Sequence, residues 1–385
     1  MPPDAATILS GLRVLLIGCG SLGSMAALHF ARLQFHSLFL ADGRSFKPAS
    51  SLTHAWLPPE ARNKPKASFT AQLCRKISPE TNVYAFDGEA QSLPSTAFAD
   101  VDYVFLATDN LKAETDVDEQ CVRWGVPLIQ AAVHGETLTA QVRFFTHAHA
   151  ESPDLRCGFS AAEEKALDDE LVFTCQGAPD GKSRGRAVAV PTMSTSFLCS
   201  IAAELGVMQL FRHALGLGKP VADTVLEYCG YTHRTVISPL TRNPNCLCDH
   251  EAWRQLPSPR PSLADCTLAE LVAAAGRRDH QATTITVDDD LHFIESAVCR
   301  GGHRAPVGRF GLLGQSVGAC ATCGASMQPD NYFAHRTAAM PTLGAALHEP
   351  LHALGATPSW VMVRRDQEPF VFRSAQKGLH RQIDN

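Results

Sequence analysis

Residues 13–42, RVLLIGCGSLGSMAALHFARLQFHSLFLAD, set three glycines between an apolar run and a helix-spaced one. The run Val14–Ile17 is apolar throughout, as a strand covered on both faces must be. Ala26, Ala27, Phe30 and Leu33 then recur at helical spacing. Gly18, Gly20 and Gly23 form G-x-G-x-x-G between the two. In such a turn the first glycine permits the tight reversal and the second lets a phosphate approach the backbone. The third lets the helix pack on the strand. The helix start presents amide donors and a positive dipole end to that phosphate. Asp42 ends the next apolar run, where an acidic side chain can hold ribose hydroxyls. A nucleotide site follows. At this point a nicotinamide-dinucleotide oxidoreductase is as open a reading as any other nucleotide enzyme.

The rest of the chain extends the pattern. The spacing predicts a helix over about Lys66–Ile77, then strands at NVYAFD, at VDYVFLATDN (ending in Asp109 and Asn110), at VPLIQAAV and at TAQVRFF. Strands alternating with helices predict a doubly wound, mostly parallel α/β sheet of Rossmann type. A helix is expected near Thr192–Ala214 and a closing hairpin in TVLEYCGYTHRTVISPL. TRNPNCLCDHEAWRQLPSPRPSL, rich in proline and polar residues, reads as a linker. The expected division is a domain over 1–255, with a crossover loop at about 155–190, and a small α+β module over 262–385.

Composition excludes several classes. A net charge of −5 gives no electrostatic case for nucleic acid or an acidic membrane surface. No run of about 18 apolar residues exists, so no membrane span is expected. The first residues carry neither a basic n-region nor a cleavage site, and a cytoplasmic setting is expected. The 13 cysteines then read as reduced thiols, some of them on zinc.

The segments ADGRSFKPASSLTHAWLPPEARNKPKASF and DYVFLATDN, with what lies between and around them, resemble the ThiF/MoeB/HesA family of adenylating enzymes over roughly residues 11–250. The resemblance implies ATP and magnesium as cofactors and a ubiquitin-like protein as substrate. Asp42 then corresponds to the ribose-binding aspartate, Lys66 of NKPKA to the phosphate lysine, and Asp109 of ATDN, beside Asn110, to the magnesium-holding aspartate. These residue types suit the chemistry. In-line attack on an α-phosphate needs positive charge on the triphosphate and a hard oxygen ligand for the metal. One element departs: Ser51 and His54 stand where the family has Asn and Arg. A histidine is a poor substitute for a permanently charged phosphate clamp. The stretch before Gly18 also carries no Arg-Tyr-x-Arg-Gln element, which in MoeB-like members supplies an arginine across the dimer; Arg44 and Arg62 are the arginines that could fill that gap.

In members that go beyond adenylation, a cysteine follows the main sheet and precedes a helix. FTCQGAPDGKSRGRAVAVPTMSTSFLC matches that order with Cys175. Lys182, Arg184 and Arg186 lie just downstream, where positive charge favours a thiolate. Cys199 and Cys19 read as core. The resemblance therefore implies thioester formation on Cys175, transfer to a conjugating-enzyme cysteine, and a homodimer. The added tail resembles that of compact activators in bacterial ubiquitin-like conjugation operons. A sulfur-carrier or peptide adenylyltransferase, in which Cys175 handles sulfur or nothing, is the alternative within the family. A catalytically silent scaffold is the reading that Ser51 and His54 suggest.

Zinc-type spacings occur twice. CATCG places Cys320 and Cys323 in a knuckle, with Cys299 and His303 about twenty residues upstream. Cys246 and Cys248, with Cys157 or His250, are the other candidates. The family's paired knuckles are reduced here to Cys157 and Ser160 at the first position. His134, His147 and His149 read as satisfied or solvent-facing.

Overall fold

The structure, a computed structural model, describes residues 2–48, 50–167, 195–219, 222–276 and 283–373. The chain divides into one unit up to Ala252 and a second over Trp253–Gly378.

The first unit is built on an eight-stranded sheet. In chain order its strands are β1 (Arg13–Ile17), β2 (Ser37–Ala41), β3 (Asn82–Phe86), β4 (Tyr103–Leu106), β5 (Leu128–His134), β6 (Thr139–Phe145), β7 (Thr224–Cys229) and β8 (Arg234–Pro239). The spatial order is β3-β2-β1-β4-β5-β6-β7-β8. The strands from β3 to β5 are parallel, and β6, β7 and β8 continue the sheet antiparallel. The order reverses between β1 and β4, which opens a crevice at the carboxyl ends of those strands.

The helices explain why the strands are apolar on both faces. In chain order they are α1 (Ala5–Gly11), α2 (Ser21–Arg32), α3 (Ser50–Thr53), α4 (Lys66–Ile77), α5 (Thr96–Ala99), α6 (Leu111–Trp124) and α7 (Ser196–Ala214). Strand residues alternate between faces. Val14, Leu16, Leu38, Leu40, Phe105 and Ile129 share one core with Phe30 of α2, Ala71 of α4 and Ala202 of α7. Phe105 meets Phe30 edge to face, with ring centroids 5.3 Å apart. Gln130, of opposite parity to Ile129 on β5, bonds Glu114 of α6. The central strands, covered on both faces, hold their ends rigidly, which is what a site at their carboxyl edge requires.

Two boundaries differ from those expected. The strand read as running to Asp109 ends at Leu106, because Asn110 caps α6: its Oδ1 accepts from Ala113 N at 2.9 Å. Asp109 therefore sits in a strand-to-helix turn. The segment read as a linker is also structured. It contributes Cys246 and His250 to a side-chain cluster in the first unit, and Arg254–Leu256 as a strand of the second.

The second unit contains two small sheets. One orders strands Thr337–Ala339, Thr283–Val287, Trp360–Arg365, Glu368–Arg373 and Arg254–Leu256 around a core that includes Phe370, Phe372, Val361 and the helix Leu268–Ala274. That helix starts with a full capping box between Thr267 and Glu270. The other sheet carries Leu291–Cys299 against Arg304–Leu312 and ends in the CATCG knuckle.

Candidate active site

The glycine turn is shaped by what it must avoid. Gly18 has φ +92°, and a Cβ there would lie 2.5 Å from Ala107 O. A Cβ at Gly23 would meet Gly18 O at 1.8 Å, so helix α2 packs against the turn only with glycine here. Gly20, by contrast, faces open space, with nothing within 4 Å of a Cβ position. It is the N-cap of α2, with extended backbone, and lines the cleft beside Ser21. An approaching phosphate therefore meets free amides rather than side chains.

Around this turn the structure gathers the charged residues singled out in the sequence. Asp42 accepts from Cys19 N and from Arg44 N, each at 2.8 Å, so its carboxylate is held at the end of β2 with lone pairs to spare. Lys66, the first residue of α4, lies with Nζ 3.9 Å from Asp42 Oδ2. Its side chain is largely buried, at 17% exposed. Arg44 reaches across to Asp109, with Nη1 3.7 Å from Oδ1. Asp109 itself is 70% exposed and open to a cation. Gly18, Gly20, Asp42, Lys66, Asp109 and Asn110 all line one cleft of about 480 Å³. Arg44 lines it as well, whereas Arg62 is exposed on the surface outside it. Cys19 and Cys199 are buried, and Cys199 also borders the cleft.

The altered element lies at the same cleft. Ser51 belongs to α3, and His54 follows it. His54 Nδ1 is 2.8 Å from Ser50 O, and a carbonyl only accepts, so Nδ1 carries the proton. Burial lowers the His54 pKa, and Lys66 nearby adds to the effect. The ring is therefore neutral at physiological pH. It packs edge-on against Phe46, 5.2 Å between centroids, as part of an aromatic wall rather than as a clamp.

On the opposite wall stands a chain of side chains that sequence reasoning did not find. Arg143 Nη1 donates to Gln130 Oε1 at 3.4 Å, and Gln130 Nε2 donates to Glu114 Oε2 at 2.7 Å. All three line the cleft. Burial pushes the Glu114 carboxyl up to about 8, against the pull of Arg143 and Gln130.

Two clusters have the donor sets of metal centres. In the second unit the ligand atoms of Cys299, His303, Cys320 and Cys323 all lie within 4.8 Å of one another. Cys299 Sγ is 3.5 Å from His303 Nδ1 and 3.6 Å from Cys323 Sγ; Cys320 Sγ is 3.7 Å from His303 Nδ1. Tetrahedral zinc with sulfur at about 2.3 Å and nitrogen at about 2.0 Å separates its ligands by about 3.5–3.8 Å. The residues fit the ion. Backbone N–H groups of Cys323 and Thr322 also draw the Cys320 thiol down to about 6.

In the first unit Asp154, Cys157, Cys246 and His250 form a second cluster within the same limit. Asp154 Oδ2 is 3.2 Å from His250 Nε2, and Cys157 Sγ is 3.5 Å from the same nitrogen. Asp154 was missed in the sequence, although D-x-x-C repeats the knuckle spacing; it stands three residues before the expected Cys157–Ser160 pair. Cys248 is buried, hydrogen-bonds Asp154 and has its thiol pKa raised by that burial; it lies outside the cluster. His147 is buried, bonded to Val126 O and paired with Asp118, while His134 and His149 are exposed. Cys175, Lys182, Arg184 and Arg186 lie outside the described residues. Among the described residues every cysteine is free, and no helix is long and apolar enough to cross a membrane.

The ThiF family model matches residues 2–249. The chain is 26% identical to the molybdopterin-synthase adenylyltransferase of Escherichia coli (strain K12) over 249 residues, 63% of this chain and 89% of that protein. It is 30% identical over 136 residues to the sulfur carrier protein ThiS adenylyltransferase of the same organism, covering 34% of this chain and about half, 53%, of that one. Mouse ubiquitin-like modifier-activating enzyme 6 is 23% identical over 188 residues, 45% of this chain and 18% of its own length. A crystal structure of E. coli MccB with MccA-N7isoASN shares the fold, with a TM-score of 0.50 at 14% identity over 63% of this chain and 69% of that one. The glycine turn, the crevice beside it and the match over most of the chain lead to one conclusion: this protein belongs to the ThiF family.

Proposed function

We propose that the chain is an ATP-dependent adenylyltransferase acting on a C-terminal carboxylate. The observation that carries this reading is the convergence of Gly20, Asp42, Lys66 and Asp109 on one cleft at the strand-order reversal. In it the phosphates lie on the amides at the start of α2, and Asp42 takes the ribose hydroxyls. Lys66, oriented by Asp42, and Arg44 neutralise the triphosphate as charge builds on the leaving pyrophosphate. Asp109 would hold magnesium, which supplies Lewis-acid neutralisation of the phosphates when bound. Arg44 is permanently charged and lines the cleft, so it takes the part that neutral His54 cannot.

The finer reading is ubiquitin-like activation. The substrate is a ubiquitin-like protein, the acyl group passes from the adenylate to Cys175 as a thioester, and a conjugating-enzyme cysteine receives it. The likeness to the modifier-activating enzyme supports this, and the order of FTCQG before α7 supports Cys175. The two clusters hold structural zinc, because four protein ligands leave no open position. Exposed Phe197 and Met208 on α7 and Val236 and Ile237 on β8 support a homodimer. Free cysteines and ATP use fit a cytoplasmic setting.

A sulfur-carrier or peptide adenylyltransferase is the second reading, favoured by the similarity to the two E. coli adenylyltransferases. A gel shift separates the two. An adduct with the carrier that is cleaved by reductant and lost in Cys175→Ala supports conjugation, and an adenylate without adduct supports the second reading. The family match favours adenylation over nicotinamide chemistry. A silent scaffold predicts no ATP–pyrophosphate exchange with any carrier.

A further inference from the structure

The cleft wall formed by β5 and β6 holds a cation that the nucleotide does not need. Arg143 stands directly across from Gln130 in the β5–β6 pairing. Gln130 is bonded at both ends of its amide, to Arg143 and to Glu114, which fixes its orientation and steadies the guanidinium. Gln130 and Glu114 are 5% and 8% exposed, so this is a built wall. Among the described residues Gln130 is the only side chain that Arg143 bonds.

Position selects the anion. In the strand order β6 lies three steps from β1, roughly 14 Å, and on the far side of β4 and Asp109 from the glycine turn. Phosphates on the amides at the start of α2 are therefore not its ligand. β5 also runs past its last pairing with β4, Leu106 with Gln130, up to His134. Ala131, Ala132, Val133 and His134 line the cleft beyond that point. An extended chain end laid along them arrives with its terminus at Gln130 and Arg143.

We propose that Arg143, oriented by Gln130 and Glu114, receives the C-terminal carboxylate of the acyl substrate and sets it for attack on the nucleotide. This rests on the adenylation reading above. In the step it prepares, a carboxylate oxygen forms a bond to the α-phosphorus. The bond from that phosphorus to the bridging oxygen breaks, and its electron pair leaves with pyrophosphate. Arg143 binds the carboxylate, whereas Gln130 and Glu114 are positioning residues.

The charge balance supports the assignment. Glu114 faces Gln130 of β5, Arg143 of β6, Asp109 in the turn before α6, and Glu163. With its carboxyl held up to about 8 by burial, Glu114 is uncharged near neutrality, and the Arg143 charge is not cancelled. As pH rises through that value Glu114 ionises, and the wall loses its net positive charge.

The test uses the full chain preloaded with a non-hydrolysable ATP analogue. A hexapeptide ending in glycine, as free acid and as C-terminal amide, is titrated by calorimetry. The acid is expected to bind at least about tenfold more tightly than the amide. Arg143→Ala abolishes that preference with the analogue affinity unchanged, and Arg143→Lys restores part of it; Arg143→Gln serves if the alanine variant does not fold. Glu114→Gln keeps the preference above about pH 8, where the wild type loses it. Equal binding of acid and amide, no peptide binding, or weakened analogue binding in Arg143→Ala overturns the proposal. Failure of the wild type to bind the analogue overturns the adenylation reading itself, and is seen before any peptide is added.

Discussion

Lys66 Nζ lies 3.9 Å from Asp42 Oδ2, although the two residues come from different elements, the start of α4 and the end of β2. Both side chains are largely buried, at 17% and 9% exposed, so the lysine is oriented before any nucleotide arrives. Lys66→Ala is expected to weaken binding of a non-hydrolysable ATP analogue while leaving the thermal midpoint nearly unchanged. Asp42→Asn weakens adenosine binding as well, because the ribose contact goes with it. Calorimetry with ATP analogue and adenosine separates the two effects; equal losses for both ligands in Lys66→Ala would show that the lysine acts only on the fold.

The metal clusters predict stoichiometry. Elemental analysis of protein purified without chelator should find two zinc ions per chain, one for each cluster. Cys320→Ser and Cys246→Ser should each remove one. Chelation should cost the knuckle its protection from proteolysis, because metal binding to such a site is folding free energy.

His54 makes the first unit sensitive to acid. Its folded pKa lies below the unfolded value because of burial, so the stability of the neutral ring is fully present above about pH 6.5. That stability is lost as pH falls from there through the folded pKa. His54→Gln should narrow the gap in urea midpoint between about pH 8 and pH 5, with His213, also lowered by burial, accounting for part of what remains.

Phe105 anchors the sheet beneath the cleft. It is fully buried and meets Phe30 edge to face. Phe105→Ala should cost about 3–5 kcal/mol in chemical denaturation. A loss below about 1 kcal/mol would mean that the core collapses around the gap.

Much of this arrangement was legible because it is local. β1 and β2 are short apolar runs, helix α4 spans the residues its periodicity indicates, and G-x-G-x-x-G marks a turn that admits only glycine at Gly18 and Gly23. The end of β4 was less legible, since a helix cap at Asn110 looks in sequence like the close of a strand. Prolines made residues 241–263 look like a linker, while Cys246 and His250 fold back onto Asp154 and Cys157. Glu114, Gln130 and Arg143 come from three elements and carry no spacing signal. Their relationship exists only once β5 pairs with β6 and α6 packs on that face.

On the proposed reading this cleft adenylates a carboxylate. ATP–pyrophosphate exchange is followed with radiolabelled pyrophosphate and a glycine-terminated ubiquitin-like carrier, with intact and truncated C-terminus. Exchange should need the intact terminus and fall roughly 10²–10³-fold in Lys66→Ala and Asp109→Asn. Exchange that persists in both variants, or none with the intact carrier in the wild type, would contradict that reading.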